Sequence, residues 1–214
     1  MDLSVKNKLI EIAEKRQVKD DPSHDFQHIL RVTNLAIKIA ESVGADLDIV
    51  IPAALFHDIV VYKKNSHESK NESFESAEMA SLILNEIQEY PKNKIEMVKT
   101  CIKECSFSKG ILPDSLESKV LQDADRLEAT GAVSIMRTFA SVGHMNTQFY
   151  NPKDPFCENG TENFRGVDLF YNRLLVVGDK MHTELARHMA KERTEFLRAF
   201  LDHLRSELKD SNII

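Results

Sequence analysis

The sequence predicts an all-α fold, a single-domain helical bundle of roughly eight to ten helices that covers residues 1–214. Apolar residues recur at steps of three and four along most of the chain, and proline, glycine or polar clusters separate these segments. No segment shows the apolar–polar alternation of a half-buried strand. A chain of 214 residues, 42% of them hydrophobic, can bury one substantial core, and no change in composition marks a linker.

Two amphipathic helices are predicted at the start of the chain. The first ends in the polar stretch at residues 19–22, and its apolar positions are Leu9, Ile10, Ile12 and Ala13. The second begins after Ser23 or Asp25, either of which can cap it, and ends at Gly44. Its apolar positions are Ile29, Val32, Ala36, Ile39, Ala40 and Val43.

The third helix is predicted to open at Pro52 and to continue through the adjacent pair His57-Asp58. Proline suits the first turn of a helix, where its missing N–H costs nothing. Because the residues around the pair are apolar on almost every side, we expect this helix to be buried. Burying an imidazole and a carboxylate is unfavourable unless each is hydrogen-bonded, ion-paired or bound to a cation. The pair therefore indicates either two metal ligands from one helix or an ordinary buried polar pair, and both interpretations stand at this point.

The rest of the chain alternates between helices and two long loops. Residues 62–76 are polar and lack periodicity, which predicts a surface loop. Residues 143–167 contain five glycines and prolines and little pattern, which predicts a second loop of a length that is usually functional or disordered. Helices are predicted around residues 77–87, 91–102, 115–127, 169–177 and 185–208. Ser115 is the expected cap of the third of these helices.

His28 is a second candidate ligand. It follows His24 by four residues on the predicted second helix, so both imidazoles lie on one face, and Arg31 comes three residues later. A single helical histidine is more often a surface residue or a hydrogen-bonded core residue than a ligand. The presence of the His57-Asp58 pair elsewhere in the chain favours the interpretation of His28 as a metal ligand.

Asp123 and Asp125 form the third candidate position. The two carboxylates are two positions apart on a predicted helix and point in different directions, so only one of them can readily face a given metal. Asp125 lies toward the apolar side, where an acid needs the same explanation as Asp58. The alternative is a partly exposed acid that pairs with Arg126 or Lys119.

Overall composition argues against several classes of function. The formal net charge of −6 gives no support for a nucleic-acid polymer as partner. There is no leader-like N-terminus and no apolar run near the roughly 18 residues that span a bilayer, so no membrane association is expected. Cys101, Cys105 and Cys157 show no CxxC spacing, as is typical of free thiols in a reducing compartment. A cytoplasmic location is therefore expected, and Cys101 and Cys105, which share a helix face, are interpreted as core packing rather than as a zinc site.

Taken together, these residues resemble the HD-domain metal-dependent phosphohydrolases, an all-α family whose signature is His, then His-Asp, then Asp on separate helices. The signature reads His28, His57-Asp58 and Asp125 in this chain. Three phrases carry the resemblance, namely SHDFQHILRV at residues 23–32, ALFHDIV at residues 54–60 and VLQDADRLEATGA at residues 120–132. They are similar to the uncharacterised bacterial and archaeal branch that includes the YedJ-like hydrolases. Later pieces, at residues 154–156 and 173–175, extend the similarity over most of the chain.

The resemblance implies that His28, His57, Asp58 and Asp125 bind one divalent metal ion, with waters completing the coordination. Two imidazoles and two carboxylates suit Mn, Fe, Co, Ni or Zn better than Mg, which prefers oxygen ligands. Such an ion lowers the pKa of water and polarises a phosphoryl oxygen, so the expected reaction is hydrolysis of a phosphate ester by activated water. The chain has no Gly-rich phosphate loop and no GxSxG elbow for other chemistry.

Neighbours of the ligands in the sequence are candidates for the remaining roles. Asp58 is expected to be catalytic as well as a ligand. Asp25, His24 and Asp123 are candidates for outer groups that orient a ligand or water and handle protons, and the residues do not rank these three.

Three basic residues are candidates for substrate binding. Arg31 and Arg126 each stand within three residues of a proposed ligand, and a guanidinium can grip phosphate with two donors. Lys63 follows the His57-Asp58 helix closely, although a solvated charge at that place is an equally good interpretation.

Two departures from the family pattern narrow its implications. Cys105 stands where related sequences usually carry a histidine before Ser-Phe-Ser, which leaves any role of that histidine in doubt. Residues 59–64 read IVVYKK and lack the acidic pair that follows His-Asp in the alarmone-hydrolysing branch. The second departure argues against alarmone hydrolysis.

The leading hypothesis is a metal-dependent phosphohydrolase that acts on a small phosphorylated substrate, a nucleotide or a related metabolite; a homo-oligomer remains open. Residues 143–167 are predicted to form a lid or wall of the substrate site, with Phe149, Tyr150 and Phe156 packing either on a base or sugar or in the core. The alternative is a non-catalytic protein that keeps the metal for nucleotide sensing or structure. A third reading, oxygen chemistry with two irons, needs more histidines between the His-Asp pair and the last aspartate, where only His67 lies.

Overall fold

The computed structural model describes residues 1–16, 25–62, 66–106, 110–162 and 165–213. These residues cluster into two compact units, the first made of the described residues before Arg126 and the second of those from Arg126 onward. The assignment of the whole chain to a single domain stays a prediction. None of the helices in the described residues has the length and apolarity that a membrane crossing requires.

The described residues are mainly helical, which confirms the all-α prediction. The only β pairing among them is an isolated bridge between Asn151 and Asp154. The first unit contains α1 (Leu3–Arg16), α2 (Phe26–Val43), α3 (Leu47–Phe56), α4 (Glu72–Glu86), α5 (Ile95–Cys105) and α6 (Leu116–Leu127), whose last two residues belong to the second unit. The second unit also contains α7 (Gly131–His144), α8 (Gly166–Leu169), α9 (Leu175–Val177) and α10 (Glu184–Asp210).

Helix α3 forms the centre of the first unit. It packs against α1, α2, α4 and α5, and every residue from 49 to 56 is buried. A helix surrounded on all sides needs no polar face, which explains the uniformly apolar sequence. The prediction that this helix is buried is confirmed.

The start of α3 differs from the sequence prediction, which placed it at Pro52. The helix begins at Leu47, where the Asp46 side chain accepts a hydrogen bond from the Asp48 backbone N–H, and Pro52 is its sixth residue. Proline inside a helix removes the N–H that would bond the carbonyl four residues earlier, here that of Asp48. The Tyr90 hydroxyl donates to this same carbonyl at 2.7 Å and replaces the missing bond. Burial raises the pKa of Tyr90, so the hydroxyl keeps its proton and remains a donor.

Three predicted helix ends are confirmed by their capping geometry. Asp25 caps α2 through its side chain. Gly44 ends α2 in the left-handed conformation, with φ +74°. The Ser115 hydroxyl accepts a hydrogen bond from the Ser118 backbone N–H at 3.0 Å, at the start of α6. The other proposed cap of α2, Ser23, lies outside the described residues.

The predicted surface loop at residues 62–76 is shorter than the sequence indicated. A 3-10 turn occupies Glu68–Asn71, and α4 begins at Glu72, so residues 72–76 are helical. The first turns of α4 bury Ser73 and Ser76 rather than large apolar residues. Hydrophobic periodicity misses them because small polar side chains do not contribute to it.

Helix α7 is missing from the sequence prediction for the same reason. Its buried face consists mainly of small or polar residues, namely Gly131, Ser134, Thr138 and Ser141, with Val142 as its apolar member. The helix includes residues 143 and 144, and α8 includes residues 166 and 167, so the predicted long loop loses both ends. The described residues between these helices form turns and the single bridge.

In the second unit, the 27-residue helix α10 packs against α7. Four phenylalanines form a cluster in this unit. The rings of Phe170 and Phe200 are stacked with their centroids 5.5 Å apart, and the ring of Phe139 is edge-on to that of Phe149, also with 5.5 Å between centroids. The segment predicted as one helix at residues 169–177 is interrupted by a π-helical turn, Phe170–Leu174, between α8 and α9.

Candidate metal centre

Three helices of the first unit bring the four predicted ligands together. His28 lies in the first turn of α2, His57 and Asp58 follow the last residue of α3, and Asp125 lies in the last turn of α6. His28, His57 and Asp125 each place one ligand atom within 4.8 Å of the other two. Asp58 Oδ2 lies 3.4 Å from His57 Nε2 and 3.7 Å from His28 Nε2. Residues distant in the sequence therefore converge on one point.

The separations within this cluster fit a shared cation better than direct hydrogen bonds. Asp125 Oδ1 is 3.9 Å from Nε2 of His28 and 3.9 Å from Nε2 of His57. An N–H···O hydrogen bond is normally about 3.2 Å or shorter. Two ligands that are each about 2.1 Å from one ion lie about 3.0–3.4 Å apart. Small movements of the side chains would bring all four within reach of one ion.

The imidazole of His57 is oriented by the helix that precedes it. Its Nδ1 lies 2.8 Å from the Ala54 carbonyl oxygen, which can only accept, so Nδ1 carries a proton and the neutral ring has its lone pair on Nε2. Nε2 is buried and has no hydrogen-bond partner among the described residues. A buried polar atom in that state is costly, and a metal ion would satisfy it. The residue therefore fits the role of a metal ligand.

The start of α2 positions His28. Asp25 Oδ1 accepts a hydrogen bond from the His28 backbone N–H at 2.8 Å. The His28 side chain is 1% exposed, and its ring centroid lies 5.6 Å from that of His57. The side chains of Asp58 and Asp125 are 33% and 21% exposed. The two imidazoles thus form a buried floor, and solvent reaches the cluster from the side of the carboxylates.

His57 and Asp58 do not both lie within one helix, as the sequence prediction had them. Helix α3 ends at Phe56, His57 is its C-terminal cap, and Asp58 lies in the turn that follows. The Ile59 backbone N–H donates to the Phe56 carbonyl at 3.2 Å and closes this turn. Adjacent residues on a continuous helix point about 100° apart. Because the chain leaves the helical path here, both side chains face the same point.

The sequence has relatives that identify its family. The family model of the HD domain matches residues 25–130. The uncharacterized protein YpgQ of Bacillus subtilis is 32% identical over 195 residues, which is 88% of this chain and 86% of YpgQ. This chain belongs to the HD-domain family.

Solved structures of other HD-domain proteins agree with this assignment. The crystal structure of Bacillus subtilis YpgQ in complex with ADP is similar with a TM-score of 0.71 and 30% identity, covering 97% of this chain and 95% of that chain. An HD-superfamily hydrolase from Bacillus thuringiensis gives a TM-score of 0.74 and 29% identity, covering 96% and 97% of the two chains. The fold is that of the HD-superfamily hydrolases. The narrower assignment to the YedJ-like branch stays a prediction.

The three residues predicted to handle protons differ in their surroundings. Asp25 is half-buried and linked to His28 through the cap of α2. Asp123 is fully buried, and its direction on α6 differs by about 200° from that of Asp125. His24 lies outside the described residues. The roles given to these three residues stay predictions.

The candidates for substrate binding are also in contrasting positions. Arg31 is half-buried on α2, three residues after His28. Arg126 is buried in the second unit, where its guanidinium donates to the Lys180 carbonyl at 2.7 Å and lies 2.8 Å from His182 Nε2. These contacts give Arg126 a structural task, and its role toward phosphate stays a prediction. Lys63 lies outside the described residues.

One contributor to the candidate centre could not be identified in the sequence, because it is a backbone group. The Ala54 carbonyl fixes the tautomer of His57, but no side-chain type marks it. The available signal is its place three residues before a histidine at the end of a helix. Backbone carbonyls there lack helical partners and can accept from side chains.

The cysteines behave as core residues. Cys101 and Cys105 are buried on α5, and burial raises the pKa of the Cys101 thiol to about 11, so it is not a thiolate at neutral pH. This agrees with the interpretation of Cys101 as packing. The stretch that follows Cys105 lies partly outside the described residues, and the consequence of having cysteine at this position stays open.

Two aromatic residues of the predicted lid, Phe156 and Phe149, take part in packing. Phe156 is buried, and the Arg205 guanidinium lies 4.1 Å from its ring centroid. Phe149, which also packs against Phe139, and Tyr150 help to line a cavity of about 330 Å³ together with Thr147, Gln148 and Pro152. The role of residues 143–167 as a wall of the substrate site stays a prediction.

Proposed function

We propose that this HD-domain protein is a metal-dependent phosphohydrolase that cleaves a small phosphate ester, a nucleotide or a related metabolite, in the cytoplasm. The supporting observation is the cluster of His28, His57, Asp58 and Asp125, in which His57 Nε2 is buried without a hydrogen-bond partner among the described residues. A purely structural polar cluster would be expected to hydrogen-bond internally. Separations of 3.4–3.9 Å between nitrogen and oxygen are long for that purpose.

In this proposal, the four residues hold one divalent transition metal. Mixed nitrogen and oxygen donors favour Mn, Fe, Co, Ni or Zn over Mg. When bound, such an ion supplies Lewis-acid polarisation of a phosphoryl oxygen and lowers the pKa of water. The two carboxylates offset the charge of the ion, and the hydrogen bond from His57 Nδ1 to Ala54 keeps Nε2 directed at the cluster.

The chain supplies the remaining groups that hydrolysis needs. The reaction forms a bond from a water oxygen to phosphorus, breaks the ester P–O bond and moves one proton from the water to the leaving oxygen. Asp58, a partly exposed carboxylate, is the proposed proton acceptor, with Asp25, His24 and Asp123 as proposed outer groups. Arg31 is proposed to donate hydrogen bonds to the substrate phosphate because it follows His28 by three residues on α2. Lys63 and Arg126 are proposed in the same role.

The nucleotide part of the proposal is supported by a relative. YpgQ of Bacillus subtilis, 30% identical in that comparison, is described in a crystal structure in complex with ADP. ADP contains a phosphate chain, a sugar and a base, and a site for any of these groups is compatible with a small phosphorylated substrate. The identity of the substrate depends on this likeness more than on the four ligands.

A turnover panel tests the proposal. Purified protein at high concentration is supplied with Mn, Co or Ni and with phosphomonoesters, nucleoside di- and triphosphates and cyclic nucleotides. We expect phosphate or pyrophosphate release from at least one nucleotide, its loss with chelator and in His57→Ala, and its retention in His188→Ala, which changes a 71% exposed histidine on α10. Metal uptake without turnover of any compound would favour a non-catalytic nucleotide sensor. Absence of metal uptake would contradict both functions.

A further inference from the structure

Asp58 differs from the other three residues of the cluster in the backbone that carries it. His28 and Asp125 lie on helices and His57 caps one, whereas Asp58 is in a turn and the next residues, up to Tyr62, have no regular structure. A ligand must be held within a few tenths of an ångström of its working position. Irregular backbone does not provide that by itself, so contacts from outside the segment must fix it.

Helix α4 provides these contacts through Ser76. The Ser76 hydroxyl, which is fully buried, accepts a hydrogen bond from the Val60 backbone N–H at 3.2 Å and donates to the Val60 carbonyl at 3.4 Å. A hydroxyl can do both because it has one proton and two lone pairs. One side chain therefore holds both backbone groups of the residue two positions after Asp58.

Two glutamates of the same helix hold the next part of the segment. The Tyr62 backbone N–H donates to Glu72 Oε1 at 2.7 Å, and the Tyr62 hydroxyl donates to Glu75 Oε2 at 2.6 Å. These contacts are nearer to solvent than that of Ser76 and lie further from Asp58 along the chain. They limit how far the segment can move when the Ser76 contact is removed.

We propose that Ser76 is a positioning residue for Asp58 and sets the affinity of the candidate metal centre, an inference that rests on the proposed function. Hydrogen bonds fix the chain on both sides of Asp58. Before it, His57 Nδ1 bonds the Ala54 carbonyl, and after it, the Ser76 hydroxyl bonds the backbone of Val60. Without the hydroxyl, Val60 loses the partner of its N–H and its carbonyl. The segment then populates other conformations, and the apparent metal affinity falls by the fraction of time that Asp58 is in place.

The test compares Ser76→Ala with Ser81→Ala. Ser81 is half-buried on the same helix, five residues on and about 140° around it, which makes it a matched control. Calorimetric titration with Mn²⁺, corrected for the folded fraction, should give about tenfold weaker binding for Ser76→Ala, as is typical when a group behind a ligand is lost, and unchanged binding for Ser81→Ala. The visible spectrum of the Co²⁺-loaded protein, which reports ligand geometry, should change in Ser76→Ala alone.

A second measurement needs no metal. In the metal-free wild-type protein, the Val60 amide should exchange slowly with deuterium, and Ser76→Ala should speed this exchange without affecting the centre of α3. Fast exchange at Val60 in the wild type overturns the inference, and so does Mn²⁺ affinity in Ser76→Ala equal to that of the wild type. Absence of Mn²⁺ binding by the wild type would overturn the proposed function and, with it, the positioning role.

Discussion

Residues at the C-terminal ends of α3 and α6 both belong to the candidate metal centre, but the two helices differ in how polar the rest of their sequence is. Helix α3 is apolar throughout its last eight residues, and the first polar side chains after it, those of His57 and Asp58, belong to the cluster. Polar residues occur along the whole length of α6, and Asp125 among them places an oxygen 3.9 Å from His28 Nε2. A polar residue next to α3 therefore points to the cluster more directly than a polar residue on α6 does.

Two other buried polar residues of α6, Gln122 and Arg126, make hydrogen bonds that connect the helix to neighbouring backbone. Gln122 is fully buried, and its amide donates to the Glu104 carbonyl at 2.6 Å and to the Ile111 carbonyl at 3.0 Å. Arg126 donates to the Lys180 carbonyl in the second unit. These carbonyls lie in the last turn of α5, in the irregular segment before α6 and in a 3-10 turn of the second unit, so both side chains connect α6 to neighbouring backbone. Sequence alone does not separate such residues from a ligand on the same helix.

The largest effect is expected at Asp125. Asp125→Ala removes the carboxylate whose oxygen lies 3.9 Å from both imidazole nitrogens, so the variant should be nearly inactive and poor in metal while remaining folded. Bound metal by elemental analysis and phosphate release at matched circular dichroism check this expectation. Metal content and turnover equal to the wild type would remove Asp125 from the centre and break the contrast between the two helices.

A smaller effect is expected at Asp123. It is fully buried and points about 200° away from Asp125, so it can at most orient a ligand or water. Asp123→Ala should retain measurable metal and turnover, with a loss of about 10–100-fold in affinity or activity. The same pair of assays applies. A reversed order of the two variants would place the ligand two residues earlier, and equal mild losses would mean that neither aspartate is a ligand.

A change at Gln122 should affect stability and leave metal binding intact. Gln122→Met keeps the volume but leaves the Glu104 and Ile111 carbonyls without this donor, so the free energy of unfolding should fall by about 1–3 kcal/mol. Urea denaturation measures the change, and exposed Gln88→Met serves as control. If Gln122→Met lost metal per folded chain, the division of α6 into structural and ligand residues would be wrong.

The smallest effect concerns the apolar helix. Tyr90→Phe removes the hydroxyl that bonds the Asp48 carbonyl, which should cost about 1 kcal/mol of unfolding free energy. In a Pro52→Ala background the cost should shrink, because the new N–H at residue 52 can donate to the same carbonyl. A double-mutant cycle by urea denaturation measures this coupling. Additive changes would show that Tyr90 does not compensate for the proline.

The sequence was sufficient for the features that depend on apolar pattern and capping chemistry. Local rules predict the all-α class and the burial of α3. They also predict the caps at Asp25 and Ser115 and the helix end at Gly44. The candidate ligands His28, His57, Asp58 and Asp125 were named because charge next to apolar helices needs a partner, and the structure brings them together.

Other features depend on contacts between distant residues, which local patterns do not contain. The sequence predicts a helix start at Pro52 because nothing near it in the chain indicates that Tyr90, 38 residues later, replaces its missing bond. The sequence does not predict helix α7 because, apart from Val142, its buried face is made of glycine, serine and threonine. The turn that carries Asp58, and the hydrogen bond from the Val60 N–H to Ser76 that follows it, also depend on tertiary contacts.

The most direct test of the account is the metal content of the wild-type protein measured together with that of His57→Ala. After mild purification and dialysis against Mn²⁺, elemental analysis should find about one transition-metal ion per chain in the wild type and much less in the variant, with phosphate release from a nucleotide following the bound metal. Absence of metal from the wild type, with none taken up on titration, would contradict the assignment of His28, His57, Asp58 and Asp125 as a catalytic metal centre.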